Sequence, residues 1–143
     1  MTVAGDSASS GSAPAAPRRL LVVDDEAPIR SALRRFFTRR GWEVDEADDG
    51  RAALDRLVHG DDRYDAVICD IQMPNLSGTA LYDAIARDRP ALLERCIFST
   101  GDAQAPEAAK FVARTHCRML EKPFELAQLA AIVDALPGRA ASP

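Results

Sequence analysis

The residues best suited to chemistry are a few carboxylates, a hydroxyl and a lysine, each at the end of a short apolar run. Asp24 and Asp25 end the run in LLVVDDE, and Asp70 ends the run in VICDIQMPNLSG. Thr100 lies in IFSTGD and Lys122 in MLEKPF. Carboxylate oxygens bind hard cations such as Mg²⁺, and a carboxylate attacks phosphorus to form an acyl phosphate. The set therefore indicates a site that binds a divalent metal and accepts a phosphoryl group.

Bringing three carboxylates together has an electrostatic cost that predicts a cation. At a separation of about 5 Å and an effective dielectric constant near 20, each pair repels by roughly 3 kcal/mol. Such a cluster either raises its pKa values or binds a cation. Lys122 would pair with one phosphoryl oxygen as a point charge, the Thr100 hydroxyl would donate to another, and Gly101 would leave room for the incoming group. No His or Cys spacing suggests zinc instead.

Alternating apolar runs and helical patterns predict the elements that position these residues. Continuous apolar runs predict buried strands, and apolar residues on one helical face predict the helices between them. In such doubly wound α/β sheets ligands bind at the carboxyl ends of the strands, so the polar residues should converge at one edge. The strands are expected at 20–23, 42–47, 66–69, 96–98 and 117–120, and the helices near 28–40, 52–59, 79–89, 106–114 and 126–136.

Each of these residues alone has a simpler explanation. An Asp after a strand is commonly a turn or cap residue, and an acidic pair suits the start of a helix. Thr100 and Lys122 are equally acceptable as a cap and a solvated surface residue. Their occurrence in this order, on successive strand ends, favours one common site.

The composition is typical of one globular domain with short polar ends. The 143 residues are 47% apolar, which is enough for a core without cross-links. Residues 1–17 and 138–143 are rich in Ala, Ser, Gly and Pro, and we predict that they are disordered tails around a domain at 18–137. A net charge of −4 gives no excess of positive charge that would favour binding to nucleic acid or an anionic membrane. With no run as long as a membrane span, we expect a cytoplasmic protein.

The cysteines and histidines are assigned no chemistry. Cys69, Cys96 and Cys117 lie in or beside predicted strands and are expected to be buried core residues in a reducing compartment. His59 and His116 lack neighbouring residues that would support a ligand or phosphodonor role.

The four motifs, in this order, resemble those of the response-regulator receiver domains of two-component signalling, over about residues 18–137. We predict a flavodoxin-like, doubly wound, five-stranded parallel sheet of order 2-1-3-4-5 with five helices. The resemblance implies that Asp70 is the phosphoacceptor. Its donor would be a phosphohistidine on a histidine kinase or a histidine phosphotransfer protein. Such a domain assists its own phosphorylation and dephosphorylation but is not an enzyme with separate substrates.

The resemblance also implies a metal site for Mg²⁺. Asp25 would bind the ion directly, and Asp24 would do so directly or through water. Asp70 and the backbone carbonyl of Gln72 would complete the set. The other implied roles are phosphoryl-oxygen contacts from Thr100 and Lys122, a cis bond between Lys122 and Pro123, and tuning of dephosphorylation by Gln72, Gly101 and Asp102.

Met119 departs from the family pattern. Many members carry Tyr or Phe three residues before the lysine, as a switch coupled to the threonine. Phosphorylation is still expected, because Met119 carries none of the chemistry. The usual coupling of the threonine, through an aromatic residue, to the face formed by helix 4, strand 5 and helix 5 is not supported. FSTGD and RMLEKPF are more similar to receivers of hybrid histidine kinases than to those of transcription factors.

We expect no output domain after Leu136 and therefore a stand-alone receiver or one cut from a hybrid kinase. Output would occur by phosphorylation-dependent binding to an unknown protein partner or by phosphate shuttling, and a homodimer through helices 4 and 5 is possible.

Two alternatives remain open at this stage. A phosphatase of the haloacid dehalogenase type also uses an Asp nucleophile and Mg²⁺. That family places its nucleophile motif first and its acidic pair last, and it has an Asp where this chain has Gln72. The other alternative is an interaction module that works without phosphorylation, although all the acceptor-site residues are present. Mg²⁺ binding would separate a receiver from a degenerate module.

Overall fold

The computed structural model describes residues 16–60 and 63–137. Within them, strands and α-helices alternate, and one 3-10 helix at Pro90–Arg95 precedes the fourth strand. The predicted tails at 1–17 and 138–143 lie almost wholly outside these residues. The strands are β1 (Arg19–Val23), β2 (Glu43–Ala47), β3 (Ala66–Asp70), β4 (Cys96–Thr100) and β5 (Arg118–Glu121). The helices are α1 (Ala27–Arg39), α2 (Gly50–Leu57), α3 (Gly78–Asp88), α4 (Pro106–Thr115) and α5 (Leu126–Asp134).

The strands form one parallel sheet in the order β2-β1-β3-β4-β5. This is the predicted order 2-1-3-4-5, with helices around the sheet. Register places Asp70 beside Ser99 and Thr100 beside Glu121. Neighbouring parallel strands therefore end at the same edge, and their terminal polar residues lie side by side.

Local sequence explains where the elements begin. β3 and β4 are buried along their whole length, as expected of strands covered on both faces. Pro28 occupies the first turn of α1, where its missing N–H costs nothing. The side chains of Asp49 and Ser77 cap α2 and α3 by accepting from the N–H groups of Ala52 and Ala80.

Two apolar layers cover the two faces of the sheet. One layer is formed mainly by α2, α3 and α4 and includes Leu57, Ile85, Phe98 and Phe111. The other is formed mainly by α1 and α5 and includes Phe37, Trp42, Ile97, Leu129 and Val133. Burial of these side chains holds the central strands, and therefore their ends, in fixed positions.

Two strands were predicted to begin one residue too early. Trp42 lies before β2, because its N–H donates to the carbonyl of Phe37 as part of the helix end. Gly41, with φ of +91°, makes that turn possible. Cys117 lies before β5, where its N–H donates to the Thr115 hydroxyl, and its side chain is half-buried rather than buried. His116 caps α4 in the left-handed conformation.

Among the described residues, no helix combines the length and hydropathy that crossing a membrane requires.

Candidate functional site

Four strand ends bring the predicted residues to one edge of the sheet. Asp24 directly follows β1, Asp70 ends β3, Thr100 ends β4 and Lys122 directly follows β5. Asp24, Asp70 and Thr100 are only 3%, 5% and 1% exposed. Polar side chains buried to this degree need partners, so their contacts define the site.

Lys122 is the central contact of the site. Its Nζ atom lies 2.8 Å from Oδ2 of Asp24, 2.9 Å from Oδ2 of Asp70 and 3.1 Å from Oε2 of Glu26. The backbone N–H of Lys122 donates to the carbonyl of Thr100 at 2.8 Å, which fixes the lysine relative to β4. The bond between Lys122 and Pro123 is cis, as the resemblance predicted.

Burial and ion pairing shift the pKa values in this cluster. Burial raises the pKa of Asp24 above its ordinary value, and the hydrogen bond from Lys122 opposes that rise only in part. For Lys122, burial alone would lower the pKa, but the carboxylates of Asp24 and Asp70 raise it well above the ordinary lysine value. The lysine is therefore charged at every physiological pH.

The acidic cluster has the donors that a hard cation requires. Asp24, Asp25, Glu26 and Asp70 each offer one carboxylate oxygen, and these atoms all lie within 4.8 Å of one another. Asp25 and Glu26 are exposed, so the cluster opens to solvent. An all-oxygen set with accessible positions for water suits Mg²⁺, and Lys122 already shows that a cation is stabilised here.

Glu26 is a member of the site that the sequence reasoning missed. Its carboxylate lies on Lys122 and among the possible metal ligands. Its position directly after the acidic pair was the available signal.

Backbone contacts fix the carboxylate of Asp70. The N–H of Gln72 donates to Oδ1 of Asp70 at 3.0 Å, which leaves Oδ2 to Lys122. The N–H of Gly78 donates to the carbonyl of Ile71 at 3.0 Å. A Cβ at Gly78 would lie 2.4 Å from the carbonyl oxygen of Asp70, so the loop after Asp70 requires a glycine at this position.

The rim of the site is formed by the remaining predicted residues. Oγ1 of Thr100 accepts from the N–H of Asp102 at 3.2 Å. A Cβ on Gly101 would meet nothing within 4 Å, so space is open there as expected. The Gln72 side chain is exposed, with Nε2 at 3.4 Å from Oε1 of Glu107 in the first turn of α4. The structure thus places Gln72, Gly101 and Asp102 around the mouth.

Met119 lies beside this site rather than in it. It pairs in register with Phe98 and is half-buried against the layer that contains Phe98 and Phe111. Its contacts are apolar, in keeping with a residue that carries none of the chemistry.

An apolar groove adjoins the cluster on the α1 side. It has a volume of about 570 Å³ and runs between the start of α1 and the loop that leads into α5. Lys122 and Glu26 are among its lining residues, and Ile29, Ala32 and Phe124 supply apolar surface.

The cysteines and histidines do not reach the site chemistry. Burial raises the pKa of the Cys69 thiol and raises that of Cys96 to about 12, so both are inert core residues. His59 is exposed on α2 and contacts Asp55 at 3.2 Å. Cys69 and Cys96 are thus buried core residues, as predicted, whereas Cys117 is only half-buried.

Comparisons with known proteins agree on one family. Residues 20–134 match the family described as the response regulator receiver domain. The chain is 37% identical over 123 residues to the response regulator MprA of Mycolicibacterium vanbaalenii, covering 84% of this chain and 50% of that protein. It spans about half the length of this curated relative.

Two solved structures show the same fold. A response regulator receiver protein from Pseudomonas putida is 33% identical with a TM-score of 0.74, over 85% of this chain and 98% of that one. The response regulator protein TrrA of Thermotoga maritima, in complex with Mg²⁺-BeF, is 29% identical with a TM-score of 0.68, over 84% and 99% of the two chains.

Proposed function

The chain belongs to the response regulator receiver domain family, and from this premise we propose that it is the phosphoacceptor of a two-component phosphorelay, with Asp70 as the acceptor. The observation that carries the proposal is the contact of one ammonium group, Lys122 Nζ, with both Asp70 and Asp24. It supports the proposal because the proposed nucleophile, the proposed phosphate-binding cation and a proposed metal ligand are in direct contact.

We propose Mg²⁺ as the cofactor, held by Asp24, Asp25, Asp70 and the backbone carbonyl of Gln72. The close carboxylate oxygens support this assignment, and Glu26 joins the set as a further ligand or as a partner of a bound water. When bound, Mg²⁺ neutralises negative charge that gathers on the phosphoryl oxygens.

The residues of this chain position and stabilise the transfer. A carboxylate oxygen of Asp70 bonds to phosphorus while the bond from phosphorus to a histidine ring nitrogen of the donor breaks, and that nitrogen keeps the electron pair. The product is an acyl phosphate on Asp70. Lys122 moves from carboxylate to phosphoryl oxygen as a point charge, and the Thr100 hydroxyl donates to another phosphoryl oxygen.

The proposed donor is a histidine kinase or a histidine phosphotransfer protein. The apolar groove between α1 and the loop before α5 supports such a docking partner, because Lys122, which contacts Asp70, lines it. Output is proposed to follow from phosphorylation-dependent binding of another protein or from onward transfer of the phosphoryl group. This proposal includes a receiver unit at residues 18–137, a cytoplasmic location, no turnover of a separate substrate, and tuning by Gln72, Gly101 and Asp102.

Intact-mass analysis after incubation with Mg²⁺ and acetyl phosphate tests the acceptor. We expect a labile adduct of one phosphoryl group on the wild-type chain and on the control Asp83→Asn, an exposed change on α3. We expect no adduct on Asp70→Asn. An equal adduct on Asp70→Asn would overturn the assignment. Absence of both the adduct and Mg²⁺ binding in the wild type would favour an interaction module that works without phosphorylation.

A further inference from the structure

Arg30, in the first turns of α1, reaches back over the acidic loop. Its Nη1 donates to the backbone carbonyl of Asp24 at 2.6 Å, and its Nε donates to Oε1 of Glu46 at 3.1 Å. The side chain is only 17% exposed. One guanidinium group therefore joins α1, the end of β1 and the edge strand β2.

This contact completes a backbone clamp on Asp24. The N–H of Asp24 donates to the carbonyl of Ala47 at 3.1 Å, so its two peptide groups are held from β2 and from α1. Its carboxylate accepts from the N–H of Glu26 at 2.9 Å. With the main chain fixed on both sides, the side chains of residues 24–26 are presented from one defined turn.

Helix stability does not explain the placement of Arg30. A cation near the start of a helix is disfavoured by the helix dipole, and the salt bridge to Glu46 is made equally by Arg34. Arg34 differs in being 47% exposed, and its hydrogen bond goes to Glu46. The feature particular to Arg30 is the bond to Asp24.

We propose that Arg30 is a positioning residue that holds the loop of Asp24, Asp25 and Glu26 in the geometry that binds the divalent cation. The inference rests on the proposed function. Mg²⁺ requires near-ideal octahedral geometry, so a loop that relaxes by a fraction of an ångström binds it less well. Residues that orient ligands in this way commonly change metal affinity when they are removed.

Titration calorimetry with Mg²⁺ on the full chain tests the proposal. We expect Arg30→Ala to weaken Mg²⁺ binding about tenfold. Arg30→Lys, which keeps one charged donor, should lose roughly threefold and recover part of the affinity. Arg34→Ala is the matched control, because it removes the other guanidinium from Glu46, and its affinity should stay within about twofold of wild type.

Comparing the half-saturating Mg²⁺ concentration with the maximal phosphorylation rate separates a positioning role of Arg30 from general destabilisation. The rate of phosphorylation by acetyl phosphate, measured against Mg²⁺ concentration, should show a raised half-saturating Mg²⁺ in Arg30→Ala and an unchanged maximal rate. A loss of thermal stability with wild-type Mg²⁺ affinity in the folded protein would overturn the proposal. Equal weakening in Arg30→Ala and Arg34→Ala would also overturn it, because Glu46 rather than Asp24 would then be responsible.

The role of Arg30 and the proposed function of the chain predict different experimental failures. If the wild type forms the adduct and binds Mg²⁺, but Arg30→Ala and Arg30→Lys do the same with equal affinity, only the role of Arg30 is wrong. If the wild type neither binds Mg²⁺ nor forms the adduct, the proposed function fails, and the role of Arg30 fails with it. Should Arg30→Ala not fold, the threefold loss in Arg30→Lys carries the test.

Discussion

Oδ2 of Asp70 accepts a hydrogen bond from Nζ of Lys122 at 2.9 Å, although the two residues are 52 positions apart in the chain. The same ammonium lies 2.8 Å from Oδ2 of Asp24. The lysine thus neutralises two buried carboxylates at once, and the proposed acceptor Asp70 is held beside a fixed cation.

Lys122→Ala should destabilise the fold as well as abolish efficient phosphorylation. The change leaves two nearly buried carboxylates without their cation, and we expect a loss of about 2 kcal/mol in the free energy of unfolding at pH 7. Lys110→Ala, at an exposed position on α4, is the control and should change stability by less than about 0.5 kcal/mol. Urea denaturation measures both. A neutral result for Lys122→Ala would show that Asp24 and Asp70 find other partners.

The stability deficit of Lys122→Ala should grow with pH. Burial already raises the pKa of Asp24, and without the lysine it rises further. A carboxyl whose folded pKa exceeds its unfolded value of about 3.9 stabilises the protein at low pH and loses that contribution as pH rises. The variant should therefore approach the wild type in stability below about pH 4 and fall further below it as the pH rises towards neutral. A deficit that is independent of pH would contradict the electrostatic cause.

Alanine substitution at two glycines near the site should change the free energy of unfolding by very different amounts. At Gly78 a Cβ would lie 2.4 Å from the carbonyl oxygen of Asp70 and 2.6 Å from Cα of Ile71. Because backbone atoms cannot move aside cheaply, Gly78→Ala should cost about 2 kcal/mol or more. At Gly101 a Cβ meets nothing within 4 Å, so Gly101→Ala should cost less than about 0.5 kcal/mol. Thermal or urea denaturation measures both variants, and an equal loss of stability in Gly78→Ala and Gly101→Ala would contradict this account of the loop.

Much of this site was predictable because strand ends carry their own sequence signal. Short apolar runs followed by polar residues identified Asp24, Asp70 and Thr100, and parallel topology then required them to meet at one edge. Glu26 and Arg30 were not predictable in the same way. A glutamate and an arginine at the start of an amphipathic helix look like its ordinary solvated face. Only the folded chain shows that Glu26 contacts Lys122 and that Arg30 reaches back to the carbonyl of Asp24.

The boundaries that were missed depend on turn geometry rather than on apolar pattern. The apolar pattern placed Trp42 and Cys117 inside strands. The N–H of Trp42 instead completes the end of α1, and that of Cys117 bonds to the Thr115 hydroxyl. Such contacts depend on the conformation of a single turn residue, which is His116 in the second case, and hydropathy does not encode that conformation.

The cluster around Asp45 should make the fold sensitive to acid. The Asp45 carboxylate is partly buried, which would raise its pKa, but hydrogen bonds from Tyr64 at 2.7 Å and Arg19 at 2.6 Å lower it below its ordinary value. The stabilisation is complete above the unfolded value of about 3.9 and is lost as pH falls through the lowered folded value.

Asp45→Asn should consequently be less stable than wild type by about 1–2 kcal/mol at pH 7. The gap between the two proteins should narrow as pH falls below about 4. Urea denaturation at a series of pH values gives the comparison, with Asp48→Asn, an exposed neighbour, as the control. If the gap stays constant at low pH, the carboxylate's charge is not what stabilises this cluster.

A charge in the apolar groove should distinguish docking of a donor protein from the chemistry of phosphoryl transfer. Ala32 is half-buried on α1 and lines the apolar groove next to Lys122. Ala32→Glu places a charge in that groove at a position outside the acidic cluster of Asp24, Asp25, Glu26 and Asp70. If a donor protein seats an apolar surface there, burying the unpaired carboxylate should slow transfer from a phosphorylated histidine protein by about tenfold or more.

Transfer from acetyl phosphate to the same variant should keep its wild-type rate, because a small donor needs only Asp70, Lys122 and the metal-binding acids. The matched control is Ala113→Glu on the exposed surface of α4, for which both rates should be unchanged. Quench-flow measurement of phosphorylation with each donor, for the wild type and both variants, gives the rates to be compared. Loss of both rates in Ala32→Glu would mean that the groove supports the site itself, and loss of neither would mean that donors dock elsewhere. Only a selective loss with the protein donor identifies the groove as the surface through which this receiver recognises its partner.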